Sequence, residues 1–264
     1  MPQAIDLAAT LDAGIAPRAA IGLLVLATDQ TMEHEFARLA RLPGVGLYVA
    51  RLHNDAEITP ETLRAMAPRI APATALILPG LPLDVVGFGC TSAAMTLGEE
   101  AVFAEIRKIR PGIACTTPVT AAFAAFNSLG ARRIGVLTPY APAVNATVRA
   151  YLEAGGVTVS AFATFNRPDD REAARIDRHS IIQGVKALAA ATPLDCLFVS
   201  CTSLRLAEFV AEIEAETGIP ATSSDHALAW HCLRLAGVTD PLPSAGRLFA
   251  LSPTARDDHK RIPP

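Results

Sequence analysis

The hydrophobic pattern along the chain alternates between two kinds of segment. Short continuous apolar runs, typical of strands covered on both faces of a parallel sheet, alternate with longer segments whose apolar residues have helical spacing. Predicted strands cover 20–27, 45–52, 82–89, 113–115, 133–137, 157–165, 194–200 and 219–221, and residues 75–78 fit a short strand or a helix end. Predicted helices cover 32–42, a segment opened by Thr59-Pro60, 91–109, 118–129, 143–154, 169–191, a segment from Cys201 to about 217, and 223–235. This alternation predicts an α/β fold with parallel sheets.

One short phrase occurs twice, as Cys90-Thr91-Ser92 and as Cys201-Thr202-Ser203. Each copy follows an apolar run and precedes residues with helical spacing, so each thiol is expected where a buried strand ends and a helix begins. A helix start supplies unpaired N–H groups and a positive dipole end, which lower the pKa of a thiol and attract a carboxylate. The repeated phrase therefore predicts a pair of acid/base thiols that face one substrate.

The phrase belongs to a longer internal repeat. Residues 112–117 align with 218–223, and Ile21-Gly22-Leu23 aligns with Ile134-Gly135-Val136, in the same order and at similar offsets. We expect two similar Rossmann-like lobes related by a pseudo-two-fold axis, with the active site in the cleft between them. The expected boundaries are residues 18–115 plus 222–250 for lobe A, 116–221 for lobe B, and tails at 1–17 and 251–264. The first tail could also be a short arm on a partner subunit.

Composition narrows the class of protein. With 264 residues, 51% of them hydrophobic, the chain can bury a sizeable core. Lys plus Arg number 23 against 26 Asp plus Glu, which favours neither nucleic acid nor an anionic membrane as a partner. The start lacks a basic segment and no apolar stretch approaches about 20 residues, so we expect a cytoplasmic protein. The five cysteines form no disulfide spacing pattern, and we expect reduced thiols.

Several other side chains are candidates for the cleft or for packing. Asp29, Tyr140 and Asn166 follow predicted strands and could line the cleft mouth or be ordinary loop residues. The threonines and serines of the repeated phrase could cap helices, bind a ligand, or do both. The remaining cysteines fit packing positions in apolar segments: Cys115, Cys196 and Cys232.

A metal or cofactor site is not expected. His226 and His231 are five residues apart, which places them on different faces of a helix and argues against a metal pair. No Gly-rich phosphate loop with its lysine is present, and Gly87-Phe88-Gly89 lacks the rest of a dinucleotide fingerprint. We therefore expect a reaction that needs no cofactor.

Blocks from about residue 20 to residue 249 resemble the aspartate/glutamate racemase superfamily, specifically its maleate isomerase and arylmalonate decarboxylase branch. Within that branch they most resemble the ectoine-utilisation family usually called EutA. The resemblance is specific because the blocks occur in order along nearly the whole chain: 27–33, 54–60, 89–93, 115–120, 137–140, 199–205 and 246–249.

The resemblance implies roles for individual residues. Cys90 and Cys201 match the two catalytic cysteines of the superfamily, and Asn166 matches a substrate-binding asparagine of the isomerases. Thr91, Ser92 and Tyr140 match groups that hold the substrate carboxylate in that branch. Thr117, Thr202 and Ser203 are further candidates for substrate binding, as is Asp29.

At two positions this chain differs from one or the other group of enzymes in that branch. Asp29 stands where maleate isomerases carry asparagine, and its negative charge argues against maleate as the substrate. Arylmalonate decarboxylases have glycine at the position of Cys90. Two retained thiols favour proton transfer on two faces, or thiol addition, over simple decarboxylation.

We therefore expect a cofactor-independent racemase or isomerase acting on a small carboxylate, in the breakdown of ectoine or hydroxyectoine. One alternative is a maleate cis-trans isomerase or an arylmalonate-type decarboxylase. The other is a non-enzymatic two-lobed sensor of small molecules. The superfamily resemblance is compatible with a homodimer.

Overall fold

A computed structural model of the chain describes residues 4–167 and 169–251. The strands form two four-stranded parallel sheets with the orders β2-β1-β3-β4 and β6-β5-β7-β8. The first sheet contains β1 (Ala19–Leu26), β2 (Val45–Leu52), β3 (Val85–Gly89) and β4 (Ala114–Thr116). The second contains β5 (Arg133–Thr138), β6 (Thr158–Thr164), β7 (Cys196–Val199) and β8 (Ala221–Ser223). The strand order is the same in both sheets, so the prediction of an α/β fold with two similar lobes is confirmed.

Helices connect the strands and cover the sheets. Those before β5 are α1 (Met32–Leu39), α2 (Pro60–Arg64), α3 (Ala67–Thr74), α4 (Thr91–Leu97), α5 (Glu99–Ile109) and α6 (Pro118–Leu129). Those after it are α7 (Pro142–Ala154), α8 (Asp170–Ala173), α9 (Arg178–Ala191), α10 (Val210–Thr217), α11 (Ser224–Leu235) and α12 (Gly246–Phe249), with a 3-10 turn at Pro243–Ala245. Among the described residues, no helix is long and apolar enough to cross a membrane.

The repeated segments occupy equivalent places in the two lobes. Residues 112–117 lead through β4 into α6, and 218–223 lead through β8 into α11. Thr117 and Ser223 cap these helices, since their side chains accept hydrogen bonds from backbone N–H groups three residues on. The two helices pack against each other. The sequence repeat therefore corresponds to a strand-to-helix connection that is used twice.

The glycines of the matched Ile-Gly phrases lie where neighbouring side chains crowd the position that a Cβ atom would take. A Cβ atom on Gly22 would lie 3.1 Å from Leu83 Cδ1, and one on Gly135 would lie 2.6 Å from Leu194 Cδ1. Both glycines are in central strands that pair on each side. Close approach of packed side chains explains why glycine is repeated at this point in both halves.

Three predicted helices are interrupted or displaced in the structure, and the helix predicted over 32–42 ends at Leu39. The segment predicted as one helix over 169–191 is two helices, because Asp169 and Asp177 cap separate starts at α8 and α9. The segment 91–109 is divided into α4 and α5 at Gly98, where φ is +83°. No helix follows Cys201 directly, because α10 begins only at Val210.

Other expectations fell on segments of irregular structure. Residues 75–78 follow the end of α3 at Thr74 as turn and bend, so they form neither a strand nor part of the helix. Residues 4–17 contain no regular secondary structure, and most of their side chains are exposed. Residues 1–3 and 252–264 of the expected tails lie outside the described residues.

Candidate active site

A cavity of about 390 Å³, counted with its open mouth, contains both thiols of the repeated phrase. Cys90 follows β3 and Cys201 follows β7, which are equivalent strands of the two sheets. The cavity is lined by Leu26, Asn54, Asp55, Glu57, Ile58, Thr62, Leu63, Met66, Cys90, Thr91, Ser92, Tyr140, Asp170, Cys201 and Thr202. Residues of both sequence halves therefore enclose one space, as the duplicated phrase predicted.

Cys90 is the N-cap residue of α4. Its sulfur accepts a hydrogen bond from the backbone N–H of Ala93 at 3.4 Å and lies 3.7 Å from the Ser92 hydroxyl. Burial raises the pKa of the Cys90 thiol to about 11, because removal from water disfavours the thiolate more than these two groups stabilise it. The expectation of a lowered pKa is wrong for the resting protein, in which desolvation is the larger effect.

Cys201 lies in a turn rather than at a helix start. The backbone N–H of Ser203 donates to its sulfur at 3.4 Å. Burial and the nearby negative charge of Asp170 raise the pKa of Cys201, while a hydrogen bond from the Tyr140 hydroxyl opposes the rise. Burial also raises the pKa of Tyr140 well above its ordinary value, so the phenol keeps its proton and acts as a donor. The expected helix-start effect is absent at this thiol.

The turn that contains Cys201 is fixed by hydrogen bonds from α1 and from the residue before it, in the lobe of the first sheet. The buried carboxylate of Glu35 accepts hydrogen bonds from the backbone N–H groups of Leu206 and Ala207, each at 3.0 Å. The Thr31 hydroxyl donates to the carbonyl of Ser203 at 3.0 Å. Burial raises the pKa of Glu35 to about 7 despite these bonds. These contacts fix a thiol-bearing turn without a helix.

Asp170, a residue that sequence reasoning did not single out, is part of the cavity wall. It is 3% exposed, and its two oxygens accept hydrogen bonds from different segments, Thr28 Oγ1 at 2.5 Å and the Ser203 hydroxyl. Its backbone N–H donates to the carbonyl of Ala56. The sequence around Asp170 indicates only an acidic residue near a helix start. The tertiary contacts place Asp170 beside the thiols.

Asp29 lies behind the cavity wall and is not among the lining residues. Its Oδ1 accepts hydrogen bonds from the backbone N–H groups of Thr31 and Met32, both at 2.8 Å. Its Oδ2 is buried and has no hydrogen-bond partner within the described part of the chain. Burial raises the pKa of Asp29 to about 6, with a smaller contribution from the charge of Asp170.

The other predicted binding residues are divided between the cavity and its surroundings. Thr91, Ser92, Tyr140 and Thr202 line the cavity, and Thr91 also donates to the Ser224 hydroxyl at 2.7 Å. The Ser203 hydroxyl is bonded to Asp170.

Thr117 and Asn166 do not line the cavity. Thr117 is buried as the cap of α6, and Asn166 is exposed with a left-handed φ of +52°. Their contact with substrate stays a prediction. The three cysteines predicted to be packing residues are buried away from the cavity wall: Cys115, Cys196 and Cys232.

Replacing Tyr140 with phenylalanine should slow alkylation of Cys201 by about tenfold at pH 8. A hydrogen bond to a charged group contributes about 1.5–3 kcal/mol, and the Tyr140 hydroxyl lowers the pKa of Cys201 by donating to its sulfur. Iodoacetamide labelling followed by peptide mass spectrometry measures the rate at each thiol. Tyr151→Phe is the matched control, since the Tyr151 hydroxyl donates to Glu99 instead. Equal Cys201 rates in both variants would contradict the assignment.

Comparisons with known proteins agree with this geometry. The chain is 31% identical to an arylmalonate decarboxylase of Bordetella bronchiseptica over 140 residues, which cover 52% of this chain and 58% of the decarboxylase. It is 29% identical to a maleate isomerase of Nocardia farcinica over 242 residues, covering 87% of this chain and 94% of the isomerase.

Solved structures of the same kind superimpose on the whole two-lobed body. The Nocardia farcinica maleate cis-trans isomerase bound to TRIS has a TM-score of 0.79 at 27% identity, covering 88% of this chain and 98% of that chain. A cysteine-to-serine variant of that isomerase, with a TM-score of 0.77 at 27% identity and the same coverage, carries a covalently bound succinylcysteine intermediate. The arylmalonate decarboxylase family model matches residues 58–249. The chain therefore belongs to the arylmalonate decarboxylase family, whose relatives found here are enzymes.

Proposed function

We propose that this protein is a cofactor-independent isomerase that inverts a stereocentre next to a carboxylate by proton transfer between Cys90 and Cys201. The observation that supports this most directly is the presence of both thiols in one cavity, at the ends of equivalent strands. A decarboxylation that ends in one protonation needs one thiol, whereas inversion needs a proton acceptor on one face and a donor on the other.

The proposed reaction moves one proton off the substrate and another onto it. One cysteine, as thiolate, removes the proton on the carbon next to the carboxylate. The resulting anion is stabilised by hydroxyl groups at the cavity wall, and the other cysteine donates its S–H proton from the opposite face. The reverse reaction exchanges the two roles, so either cysteine can be the base.

The cavity offers hydroxyl groups for the substrate carboxylate. The Thr202 hydroxyl has no hydrogen-bond partner within the described ranges, and Ser92 has only the sulfur of Cys90. Tyr140 is held in place because its backbone carbonyl accepts from Asn145 at 2.7 Å and from Thr164 at 2.8 Å. These groups can donate to carboxylate oxygens as the negative charge shifts toward them.

The finer assignment is to the EutA family of the aspartate/glutamate racemase superfamily, with a substrate from ectoine or hydroxyectoine breakdown. The ordered motif blocks and the acidic Asp29 support it.

We assign residues 18–115 with 222–250 to one lobe and 116–221 to the other. The packing of α11 on α1 and on strands β1, β3 and β4 supports this division. The sheets shift each boundary by one or two residues, because β4 extends to Thr116 in the first sheet and β8 to Ser223 in the second.

A second candidate function is cis-trans isomerisation of a dicarboxylate. It is favoured by the similarity to maleate isomerases over 87% of the chain. In that reaction a thiolate adds to one carbon of the double bond, and the electron pair of the double bond passes to the neighbouring carbon, which takes up a proton. The carbon–carbon bond, now single, rotates, and loss of the proton and of the thiolate restores the double bond. The carboxylate groups of the cavity wall disfavour a second substrate carboxylate.

Incubation in heavy water distinguishes these reactions. With hydroxyectoine or a hydroxylated diaminobutyrate as substrate, we expect one deuterium at the inverted carbon and no carbon dioxide. Nuclear magnetic resonance measures both the exchange and the stereochemistry. Fumarate formed from maleate would support the second candidate, and carbon dioxide from an arylmalonate would support decarboxylation. Solvent exchange that survives undiminished in both Cys90→Ser and Cys201→Ser would overturn the two-thiol mechanism.

A further inference from the structure

The first described segment of the chain, residues 4–17, is an arm that presents apolar side chains to solvent. Residues 4–15 of the arm are all exposed. Its large apolar side chains are the most exposed ones of the described chain, from 75% for Ile15 to 96% for Leu11, with Ile5 and Leu7 between them. Apolar side chains that are exposed together mark a surface for contact with another surface.

The sequence of the arm favours a short amphipathic helix that the single chain does not form. Leu7 and Leu11 are one helical turn apart on the same face, and Ile15 follows directly after. Asp6 is a preferred N-cap residue, and Gly14, whose φ is +72°, is a preferred residue just beyond a helix end. A helix of about two turns is unstable alone in water, so it needs an apolar surface to pack against.

A second apolar surface is exposed at the turn before β3. Residues 74–83 contain no charged side chain, and within them Leu76 is 70% exposed and Leu81 is also exposed. Ile109, at the end of α5, is exposed beside them. The Arg110 guanidinium joins the two segments by donating to the carbonyl of Leu81 at 2.6 Å. We call Leu76, Leu81 and Ile109 the apolar turn surface.

The backbone of this turn is held in a conformation that leucine rarely adopts. Leu78 has a φ of +40°, in the left-handed region, which persists only where surrounding contacts stabilise it. Arg110 supplies such contacts, because its guanidinium also donates to the carbonyls of Ile77 and of Leu78, the latter at 2.7 Å. The exposed leucines are therefore presented on a fixed turn.

The arm and the apolar turn surface have charges of opposite sign. The arm contains Asp6 and Asp12 and no lysine or arginine. The apolar turn surface is bordered by the basic segment 107–110, in which Arg107 and Lys108 are exposed, Lys108 being paired with Glu105 on its own helix. Opposite charges beside two apolar surfaces orient them and speed their association.

The base of the arm and the apolar turn surface lie at the same end of the first sheet. A Cβ atom on Gly46, near the start of β2, would lie 2.8 Å from Cβ of Ala16, and the turn leads directly into β3. In the single chain the arm nevertheless stays exposed, so both surfaces are uncovered together. A second copy offers the same two surfaces, and two reciprocal contacts about a two-fold axis would cover all four.

We propose that the arm of one copy of this chain docks as a short helix on the apolar turn surface of a second copy, and that two such contacts form a symmetric dimer. The contact lies at the amino ends of the strands, whereas Cys90 follows the carboxyl end of β3. Dimer formation thus leaves the cavity open and is independent of the proposed reaction.

Sedimentation velocity at micromolar concentrations tests the dimer. The wild type should dimerise, and two double variants should be monomeric: Leu7→Glu with Leu11→Glu on the arm, and Leu76→Glu with Leu81→Glu on the turn. Burial of one leucine changes an affinity by about tenfold or more, so each double variant should raise the dimer Kd at least about a hundredfold. A monomeric wild type, or a dimer that tolerates either double variant, would overturn the proposal.

Two further double variants control for the added charge. Ala9→Glu with Ala13→Glu adds the same charge to the opposite face of the predicted arm helix, and Ala143→Glu with Ala146→Glu adds it to exposed positions of α7 in the second lobe. Both should dimerise as the wild type does. Loss of the dimer in either control would show that charge alone prevents association, which would contradict an apolar contact.

Mixing the arm variant with the turn variant shows which copy the arm binds. The arm variant keeps its turn surface and the turn variant keeps its arm, so a mixed dimer regains one of the two contacts. It should form at concentrations at which each variant alone is monomeric, and its absence would overturn the exchange of arms.

Hydrogen exchange of residues 7–13 provides a test that needs no variant of the turn. Exchange in the wild type should slow as the dimer forms, and it should stay fast in the arm variant. Slow exchange in the wild-type monomer would show that the arm binds its own chain and would overturn the proposal.

Discussion

Replacement of Cys90 or Cys201 with serine is expected to lower turnover by at least about 10³-fold, with the fold retained. The hydroxyl of serine is nearly isosteric with the thiol, but it is a far weaker acid and cannot act as the base near neutral pH. Each sulfur is already weakly acidic in the resting protein because of burial. A further loss of acidity therefore removes the proton transfer on that face.

The double variant should be about as inactive as either single variant. Two groups that act on opposite faces in one reaction function as a unit, so their losses do not add. Steady-state turnover and single-turnover exchange measure this, and thermal melts verify the fold. Cys115→Ser is the matched control, since its thiol donates to the Ile113 carbonyl away from the cavity and a hydroxyl can do the same. Retention of more than a tenth of the activity in either active-site variant would contradict the two-thiol mechanism.

The strands and the duplication could be predicted because short stretches of sequence indicate them. A buried parallel strand is a continuous apolar run, and β2 coincides with the predicted segment 45–52. The helix α6 was bounded correctly at 118–129 because proline marks its start and Gly130 its end. Repeated glycines and the repeated Cys-Thr-Ser phrase then predicted two lobes of the same strand order.

The errors arose where distant contacts decide the local conformation. The turn after Cys201 has apolar residues at helical spacing, yet Glu35, about 170 residues earlier in the chain, binds its N–H groups. The break before α9 depends on Asp177, whose side chain accepts from the N–H of Ser180 at 2.7 Å. An aspartate inside a helical pattern has the same appearance whether it faces solvent or caps a new helix.

The candidate site could be predicted in part for the same reason. The thiols and the adjacent hydroxyls came from the repeated phrase, whereas Asp170 is placed by Thr28, 142 residues away. The direction of the thiol pKa shifts was also wrong, because it depends on burial between two lobes. Local helix geometry acts on Cys90, but desolvation is the larger effect.

Replacing Asp225 with asparagine is expected to stabilise the protein at pH 8 and to have little effect near pH 4. Asp225 is on α11 with no exposed surface, and neither carboxylate oxygen has a hydrogen-bond partner among the described groups. Burial raises the pKa of Asp225 well above its ordinary value, and the charges of Asp29, Glu35 and Asp170 raise it further. The folded protein therefore holds this side chain in its neutral form.

The sign of the pH dependence follows from proton linkage. Below the pKa of the unfolded state, about 3.9, both states keep the Asp225 proton and the side chain imposes no pH-dependent cost. As pH rises toward the raised pKa of the folded state, only the unfolded chain ionises, so the free energy of unfolding decreases. Asparagine cannot ionise, and the variant avoids this loss. A gain in Tm of roughly 3–10 °C at pH 8 corresponds to removal of about 1–3 kcal/mol of this proton-linked cost.

Asp195→Asn provides a control of opposite sign. The Arg133 guanidinium and backbone N–H groups lower the pKa of Asp195 to about 2, so its carboxylate stabilises the protein above the unfolded pKa. Its replacement should lower Tm at pH 8 more than at pH 3. Scanning calorimetry across this range compares the three proteins. A difference between Asp225→Asn and the wild type that does not grow with pH would show that Asp225 is ionised in the fold.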